Sequence, residues 1–151
     1  MNISTLLISI SATLLLAACG SNTPEVPKGE ISQNRTTAFK KMMPDFAIMG
    51  KMVKGEEAFD EAKFRSAAAA FSEHAKKPFE FFESDPQGNG DALSDVWDKP
   101  QEFAAAREQF LQAVENLNTA AQTAKLDELK TAYSEVGASC KSCHDSFRRP
   151  K

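Results

Sequence analysis

Apolar side chains recur about every 3.6 residues through most of this chain, and no stretch shows the alternation of a strand. Four stretches carry this period, at about residues 32–54, 60–77, 100–124 and 127–148. Each has one apolar stripe, so each is predicted to be an amphipathic helix that buries one face. Short connections favour antiparallel neighbours. The pattern therefore predicts an all-α protein, an up-down-up-down four-helix bundle.

Four residues indicate where these helices begin, end or bend. Asp60 is a suitable N-cap for the second helix, and Pro100 suits the first turn of the third. Gly55 suits the position just after the first helix. Pro44 lies inside the first helix, where it removes one backbone hydrogen bond and is expected to bend the helix.

The segment at about residues 79–99 is predicted to be a loop, because residues 85–91 are rich in turn-forming types. Three phenylalanines, Phe79, Phe81 and Phe82, precede those turns. They are too apolar for a solvated loop, so we expect another apolar group to cover them.

The composition excludes one class of partner and indicates a large aromatic core. The chain has 151 residues and a formal net charge of −3, which fit one domain with no nucleic-acid partner. Phenylalanine is unusually frequent, with 11 residues against one Trp and one Tyr. Because Phe has no polar group, these rings are expected in a core or against an apolar cofactor.

Residues 1–18 are predicted to be a cleaved signal peptide, outside the fold. Their apolar run is too short to span a membrane, and it leads into the sequence Leu-Ala-Ala-Cys at residues 16–19. That sequence resembles a bacterial lipobox, in which cleavage precedes a cysteine that is then lipidated. Residues 19–30 would be the lipidated Cys19 and a flexible tether, and residues 31–151 the bundle. An ordinary secretory signal is the alternative, since residues 1–5 contain no Lys or Arg.

Acyl chains on Cys19 would be the only attachment of the domain to a membrane, which places the protein in the bacterial periplasm. Gly20 stands where an Asp would retain a lipoprotein at the inner membrane. The outer membrane is therefore favoured.

The most specific motif is Cys140-Lys141-Ser142-Cys143-His144, near the C-terminus. This is the Cys-x-x-Cys-His pattern of covalent haem attachment. The two sulfurs add to the haem vinyl groups as thioethers, and the adjacent imidazole binds the iron. The sequence therefore predicts one haem c, attached through Cys140 and Cys143, with His144 as the axial iron ligand.

Three other interpretations of the two cysteines explain less. A zinc site needs further ligands, and His74 is the one histidine left besides His144. A thioredoxin-like pair needs a βαβ context that this helical pattern lacks. A structural disulfide suits an oxidising compartment but accounts for neither His144 nor the export signal.

All the methionines precede the haem motif, which limits the choice of a sixth iron ligand. Apart from the initiator, they lie in the first predicted helix: Met42, Met43, Met49 and Met52. A sixth ligand, if there is one, must therefore come from that helix.

The sequence at residues 136–148 resembles the C-terminus of the cytochromes c′, class II c-type cytochromes built on a four-helix bundle. Other residues at the family's spacing are Arg35, Phe39, Gly50, Lys54-Gly55-Glu56, Phe59-Asp60, Asp91 and Val96-Trp97. The resemblance extends over about residues 32–148 and is most specific at the C-terminus.

One position separates two functional types within that family. In low-spin members, a methionine four residues after the position of Arg35 binds the iron, and high-spin members have an apolar residue there. This chain has Phe39 at that position, so the resemblance implies a five-coordinate, high-spin iron. Met42 and Met43 lie about one helical turn further on, and we expect both to fill the core and neither to bind iron.

The resemblance implies further haem contacts from the first helix. Arg35 would pair with a haem propionate, Thr36 would lie at the haem edge, and Phe39 would cover the distal face. The alternatives are a solvated surface arginine for Arg35 and an ordinary core residue for Phe39. His74, on the second helix, is expected at the surface.

The loop and the C-terminus are also implied to contact the haem. Phe79 and Phe82 would lie near the haem edge, and Leu93 and Ser94 at its rim. Arg148 follows the axial histidine by one turn and would guard the proximal side. Alternatively, Arg148 is a solvated cation that the C-terminal end of the helix dipole favours.

These features predict a periplasmic, lipid-anchored protein that binds nitric oxide or another diatomic gas, in defence against nitrosative stress. An open distal position is what such a ligand requires. The alternative is a low-spin class II cytochrome that carries electrons from a periplasmic donor. An enzyme is not expected, because the sequence indicates no distal His or Glu for acid–base chemistry. By resemblance to the family, a homodimer packed through the first two helices is expected.

Overall fold

The computed structural model describes residues 26–123 and 125–150. This part of the chain contains α1 (Glu30–Val53), α2 (Glu61–Lys76), a 3₁₀-helix (Lys77–Phe81), α3 (Asp95–Asp98), α4 (Pro100–Ala120) and α5 (Leu126–Phe147). The four long helices form a ring in which α1 contacts α2, α2 contacts α4, α4 contacts α5 and α5 contacts α1. The prediction of an all-α, up-down-up-down four-helix bundle is confirmed.

The predicted signal peptide and Cys19 lie outside the described residues and stay predictions. Within the described residues, none of the helices is both long enough and apolar enough to cross a membrane.

The core lies between the four long helices and is built from the predicted stripes. Its fully buried apolar side chains include Met49, Met52, Phe64, Phe71, Leu117, Leu129 and Val136. Burial of each such side chain contributes about 1.5–3 kcal/mol to stability. The hydrophobic effect on these stripes is therefore the main force that assembles the bundle.

Met42 and Met43 have different environments, although both were expected in the core. Met42 is buried at 4% exposure, whereas Met43 is 50% exposed. Successive helical residues differ by about 100° around the axis, so only one of the two can face the core. The prediction is confirmed for Met42 and wrong for Met43.

Several helix ends agree with their sequence signals. The Asp60 side chain accepts a hydrogen bond from the Lys63 N–H at 2.9 Å, as an N-cap does. Gly55 has a φ of 76°, and its N–H donates to the Met52 carbonyl at 3.1 Å. Pro100 is the first residue of α4.

Other boundaries differ from the prediction. The first residues of the predicted loop at 79–99 belong to the 3₁₀-helix, and α3 lies near the end of that loop. Val96 gives α3 an apolar anchor, because its side chain is 4% exposed. α1 is continuous through Pro44, and α4 ends at Ala120, four residues earlier than predicted.

The helix ends and the loop close one end of the bundle, which we call the loop end. It comprises the starts of α1 and α4, the ends of α2 and α5, and residues 77–98 between α2 and α4. Gly29, just before α1, donates its N–H to Gly88 at 3.0 Å, and Gly90 donates to Pro27 at 3.0 Å. The segment that enters α1 is therefore paired with the loop.

Asp85 completes the start of α1 from 53 residues away in sequence. Gly29 supplies no side-chain cap, and the buried Asp85 carboxylate accepts the N–H of Ser32 at 2.9 Å in its place. The same carboxylate accepts the Gln87 N–H at 3.0 Å. A Cβ on residue 29 would lie 2.0 Å from an Asp85 oxygen, so this approach requires glycine. The amide of Ser32 is the main reason why the pKa of Asp85 is below its usual value.

We expect Asp85→Asn to lower the urea midpoint of unfolding at pH 7, because the amide replaces the charged acceptor at the start of α1. A lowered folded-state pKa means that the carboxylate stabilises the fold above the unfolded pKa of about 3.9. The deficit of the variant should therefore shrink as the pH falls below about 4. Glu83→Gln, an exposed change in the same loop, is the matched control. An equal deficit at all pH values would show that the charge of Asp85 contributes nothing.

Candidate haem site

Cys140, Cys143 and His144 lie in the last two turns of α5, at the loop end. Helical side chains three or four residues apart lie about 5–6 Å from each other on one face. By this spacing the cysteines share a face with Val136 and Phe147, both of which are buried. Both cysteines are half-buried, and His144 is exposed.

The surroundings of the two thiols are apolar. Burial raises the pKa of Cys140 to about 11, and the neighbouring Cys143 adds to the rise. Burial also raises the pKa of Cys143. Both groups are therefore neutral near pH 7, which suits a face that receives an apolar ring system.

A set of phenylalanine rings, here called the aromatic cluster, joins α1, the loop, α4 and α5. The ring of Phe39 meets Phe79 and Phe82 edge-on, at centroid distances of 6.1 and 6.2 Å. Phe79 and Phe82 stack on each other at 5.8 Å. Phe103 of α4 lies 4.7 Å from Phe82 and 5.3 Å from Phe147, one turn beyond the second cysteine. The cluster therefore extends from the predicted distal residue to the helix that carries the haem motif.

Arg35 is buried at 5% exposure, so its alternative as a solvated surface arginine is wrong. Its guanidinium donates to the carbonyls of Phe81 at 2.9 Å and Asn89 at 2.6 Å, and its Cζ lies 4.7 Å from the ring centre of Phe82. Burial lowers the pKa of Arg35, and the charge of Asp85 opposes the shift. The predicted pairing of Arg35 with a haem propionate stays a prediction.

Three other residues that were predicted to contact the haem, Thr36, Leu93 and Ser94, also lie at the loop end. Thr36 is exposed, and its hydroxyl donates to the Ser32 carbonyl at 2.9 Å. Leu93 is half-buried, and its N–H donates to the carbonyl of Phe147 at 3.0 Å. Ser94 is exposed just before α3. Leu93 is thus tied to the end of the haem helix, while Thr36 and Ser94 lie on the surface of the loop end.

Arg148 lies at the proximal end of the motif, one turn beyond His144. It is half-buried; its N–H donates to the His144 carbonyl at 3.1 Å, and its Nη2 lies 3.8 Å from an Asp91 oxygen. The carbonyl of Asp91 accepts the N–H of Arg149 at 2.8 Å. The loop therefore holds both arginines close to the C-terminal end of the haem helix.

The structure adds three residues whose role at the site was not predicted. Trp97 donates its indole N–H to the Phe82 carbonyl at 2.9 Å. Asn89 accepts from Arg35, and Phe103 belongs to the aromatic cluster. Phe103 left a signal because it lies on the apolar stripe of α4, which predicts a general core position. Trp97 stands at the family's spacing, which indicates no role for it at the site.

His74 is half-buried rather than on the surface as expected. Its Nδ1 lies 3.1 Å from an Asp45 oxygen, so the pair links α2 to α1. Within residues 26–123 and 125–150, no three His, Cys, Asp or Glu side chains converge as a zinc site would need.

The donor groups and their surroundings fit a covalently attached haem. Cys140 and Cys143 can form the two thioethers, and His144 can supply the axial imidazole. An apolar macrocycle could pack against the apolar face of α5 and against the rings of the aromatic cluster.

Comparison with known proteins places this arrangement in a family. The family model described as Cytochrome C′ matches residues 30–148. The chain belongs to the cytochrome c′ family.

Three relatives show the extent of the similarity. The chain is 32% identical to cytochrome c′ of Alcaligenes xylosoxydans xylosoxydans over 117 residues, 78% of this chain and 91% of that protein. It is 31% identical to cytochrome c′ of Rubrivivax gelatinosus over 122 residues, 80% of this chain and 95% of that protein. It is also 31% identical to a cytochrome c-554 of Cereibacter sphaeroides over 113 residues, 72% of this chain and 84% of that protein.

Solved structures are similar as well. A nitric oxide complex of a variant cytochrome c′ from Alcaligenes xylosoxidans has a TM-score of 0.76 at 30% identity, and the match covers 81% of this chain and 95% of that one. A carbon monoxide complex of another variant from that organism has a TM-score of 0.75 at 29% identity, with 80% and 95% covered. Proteins of this family carry one covalent haem c, so the predicted cofactor is confirmed.

We expect Cys140→Ala and Cys143→Ala each to leave this cytochrome c′ with one thioether, and the double variant to lose the covalent haem. Haem staining after denaturing electrophoresis and the intact mass of the chain would measure the attachment. Ser142→Ala, an exposed change between the two cysteines, should keep full attachment. Covalent haem in the double variant would overturn the assignment.

Proposed function

We propose that this cytochrome c′ is a periplasmic, lipid-anchored protein with a five-coordinate, high-spin iron that binds nitric oxide in defence against nitrosative stress. The proposal depends on Phe39, which stands where, by the family resemblance, low-spin members have a ligating methionine. A haem held by Cys140, Cys143 and His144 would supply an iron with an open position for a diatomic gas. A phenyl ring has no lone pair with which to compete for that iron.

The methionines of α1 support this choice over an electron carrier with a sixth ligand. Met42 and Met49 are buried at 4% and 0% exposure among the core side chains, and Met43 is 50% exposed. The sulfur of Met52 accepts the N–H of Asp60 at 3.5 Å, at the end of the bundle away from the haem motif. A low-spin site would require one of these side chains to leave its present surroundings.

The aromatic cover favours nitric oxide over other gases. A bulky ring penalises ligands by size, excludes water and offers no hydrogen bond to bound oxygen. Nitric oxide forms the strongest bond to ferrous haem and tolerates this penalty best. The nitric oxide and carbon monoxide complexes of similar cytochromes c′ support the proposal that this chain takes the same class of ligand.

Binding without turnover is part of the proposal. The rings of Phe39, Phe79 and Phe82 cannot donate or accept a proton, so they supply no acid–base catalysis. A peroxidase-like rate enhancement with hydrogen peroxide would contradict this view.

The proposed homodimer is supported by two exposed apolar side chains near the expected interface. Met43 on α1 is 50% exposed, and Phe59 before α2 is 39% exposed. Sedimentation equilibrium at micromolar concentration should give twice the mass of one chain. A monomer mass would contradict the dimer.

We expect the ferric protein to give a high-spin or mixed-spin absorption and spin-resonance spectrum, and the ferrous protein to bind carbon monoxide slowly. Phe39→Ala removes the distal ring and should speed carbon monoxide association by about tenfold or more, equivalent to about 1.4 kcal/mol of barrier. Phe39→Met supplies a thioether at the same place and should shift the ferric spectrum towards low spin. Fast association in the parent protein, unchanged by Phe39→Ala, would contradict the distal cover.

We expect Cys19→Ser to release the protein from the membrane fraction into the soluble periplasmic fraction. Multiple acyl chains would anchor the protein firmly, because each buried CH₂ contributes about 0.8 kcal/mol. Cell fractionation, together with the mass of the mature N-terminal peptide, measures the effect. A soluble parent protein without an acylated peptide would support the ordinary secretory signal.

A further inference from the structure

Phe82 is fixed more firmly than its place in a connecting segment would suggest. It follows directly after the 3₁₀-helix, and its carbonyl accepts the indole N–H of Trp97 at 2.9 Å. The guanidinium carbon of Arg35 lies 4.7 Å from the centre of its ring, and the ring of Phe103 lies 4.7 Å away. The backbone and the side chain of Phe82 are therefore both held in place.

Trp97 connects this restraint to the helices on the other side of the site. It belongs to α3, which packs against both α4 and α5. Its backbone N–H donates to the Ser94 carbonyl at 2.8 Å, so its own position is set within the turn that begins α3. The hydrogen bond from the indole N–H therefore links the position of the Phe82 carbonyl to that of α3.

Phe82 in turn limits the movement of Phe39. The ring of Phe39 lies edge-on to Phe79 at 6.1 Å with an interplanar angle of 78°, and to Phe82 at 6.2 Å with an angle of 83°. Phe79 is itself stacked on Phe82 at 5.8 Å. Because side chains move between staggered rotamers in packed surroundings, a rotation of Phe39 towards this pair requires Phe82 to move as well.

We propose that the hydrogen bond from Trp97 to Phe82 sets how tightly Phe39 covers the distal gas site, which makes Trp97 a positioning residue for ligand selectivity. This inference depends on the proposed function, since it assigns the entry barrier to Phe39. It adds that the barrier is set by a chain of three residues, in which Trp97 acts through Phe82 and does not touch the gas.

Two variants test the chain in the haem-loaded protein. Trp97→Phe keeps an aromatic side chain but removes the indole N–H, so Phe82 loses its backbone restraint. We expect carbon monoxide association, followed after flash photolysis, to become at least about threefold faster. Phe82→Leu keeps an apolar side chain but removes the ring beside Phe39. It should also speed association, and it tests the proposal if Trp97→Phe fails to fold.

A double-mutant cycle separates positioning from a general loss of stability. In the Phe39→Ala background, Trp97→Phe should no longer change the association rate, because the ring that it positions is absent. Phe64→Leu, in the core near the start of α2, is the stability control and should leave the rate unchanged. An equal acceleration by Trp97→Phe with and without Phe39 would overturn the proposal, as would no acceleration in a folded variant.

The rotation of the Phe39 ring gives a second measurement that does not depend on gas kinetics. In the diamagnetic ferrous carbon monoxide complex, nuclear magnetic resonance should show faster ring flips of Phe39 in Trp97→Phe than in the parent protein. Unchanged ring flips would contradict the coupling. A low-spin ferric parent would disprove the proposed gas-binding function, whereas the ring-flip rates would still test whether Trp97 restrains Phe39.

Discussion

The buried guanidinium of Arg35 is the constraint on which the loop end depends. A charge in this environment is costly unless hydrogen bonds compensate for its lost hydration. Arg35 finds acceptors in the carbonyls of Phe81 and Asn89, which come from the two ends of one loop segment. Asp85, between them, accepts the Ser32 N–H at the start of α1. The loop is therefore fastened to α1 by charge and hydrogen bonding, where the rest of the bundle relies on apolar burial.

This fastening explains how a bundle with a plain apolar core presents a specialised site at one end. The apolar stripes of the long helices supply the core by themselves. Many different loops between α2 and α4 would therefore be compatible with the same bundle. The loop of this chain instead brings Phe79 and Phe82 against Phe39, and it ties Leu93 and Asp91 to the end of α5. One loop segment thus contacts both Phe39 on α1 and the end of the helix that carries the haem motif.

The sequence predicted what depends on local pattern and on one specific motif. The period of the apolar residues gave four helices, Asp60 and Gly55 indicated their ends, and the cysteine spacing indicated the cofactor. Interactions distant in sequence could not be predicted in this way. The Asp85 cap acts across 53 residues, and nothing near Trp97 indicates that its indole binds the carbonyl of Phe82. The assignment of Met43 to the core was wrong because adjacent helical residues differ by about 100° around the axis, and a broad apolar stripe does not show which of two neighbours faces the core.

The chain enters the bundle at the end that carries the haem motif. Pro27, Lys28 and Gly29 are paired with Gly90, Asn89 and Gly88, directly beside the segment that holds the end of α5. With Cys19 lipidated as proposed, the seven-residue step to Val26 could span at most about 25 Å. The loop end, with the haem motif, would then stay within about that distance of the lipid headgroups, a restriction that the opposite end of the bundle does not share.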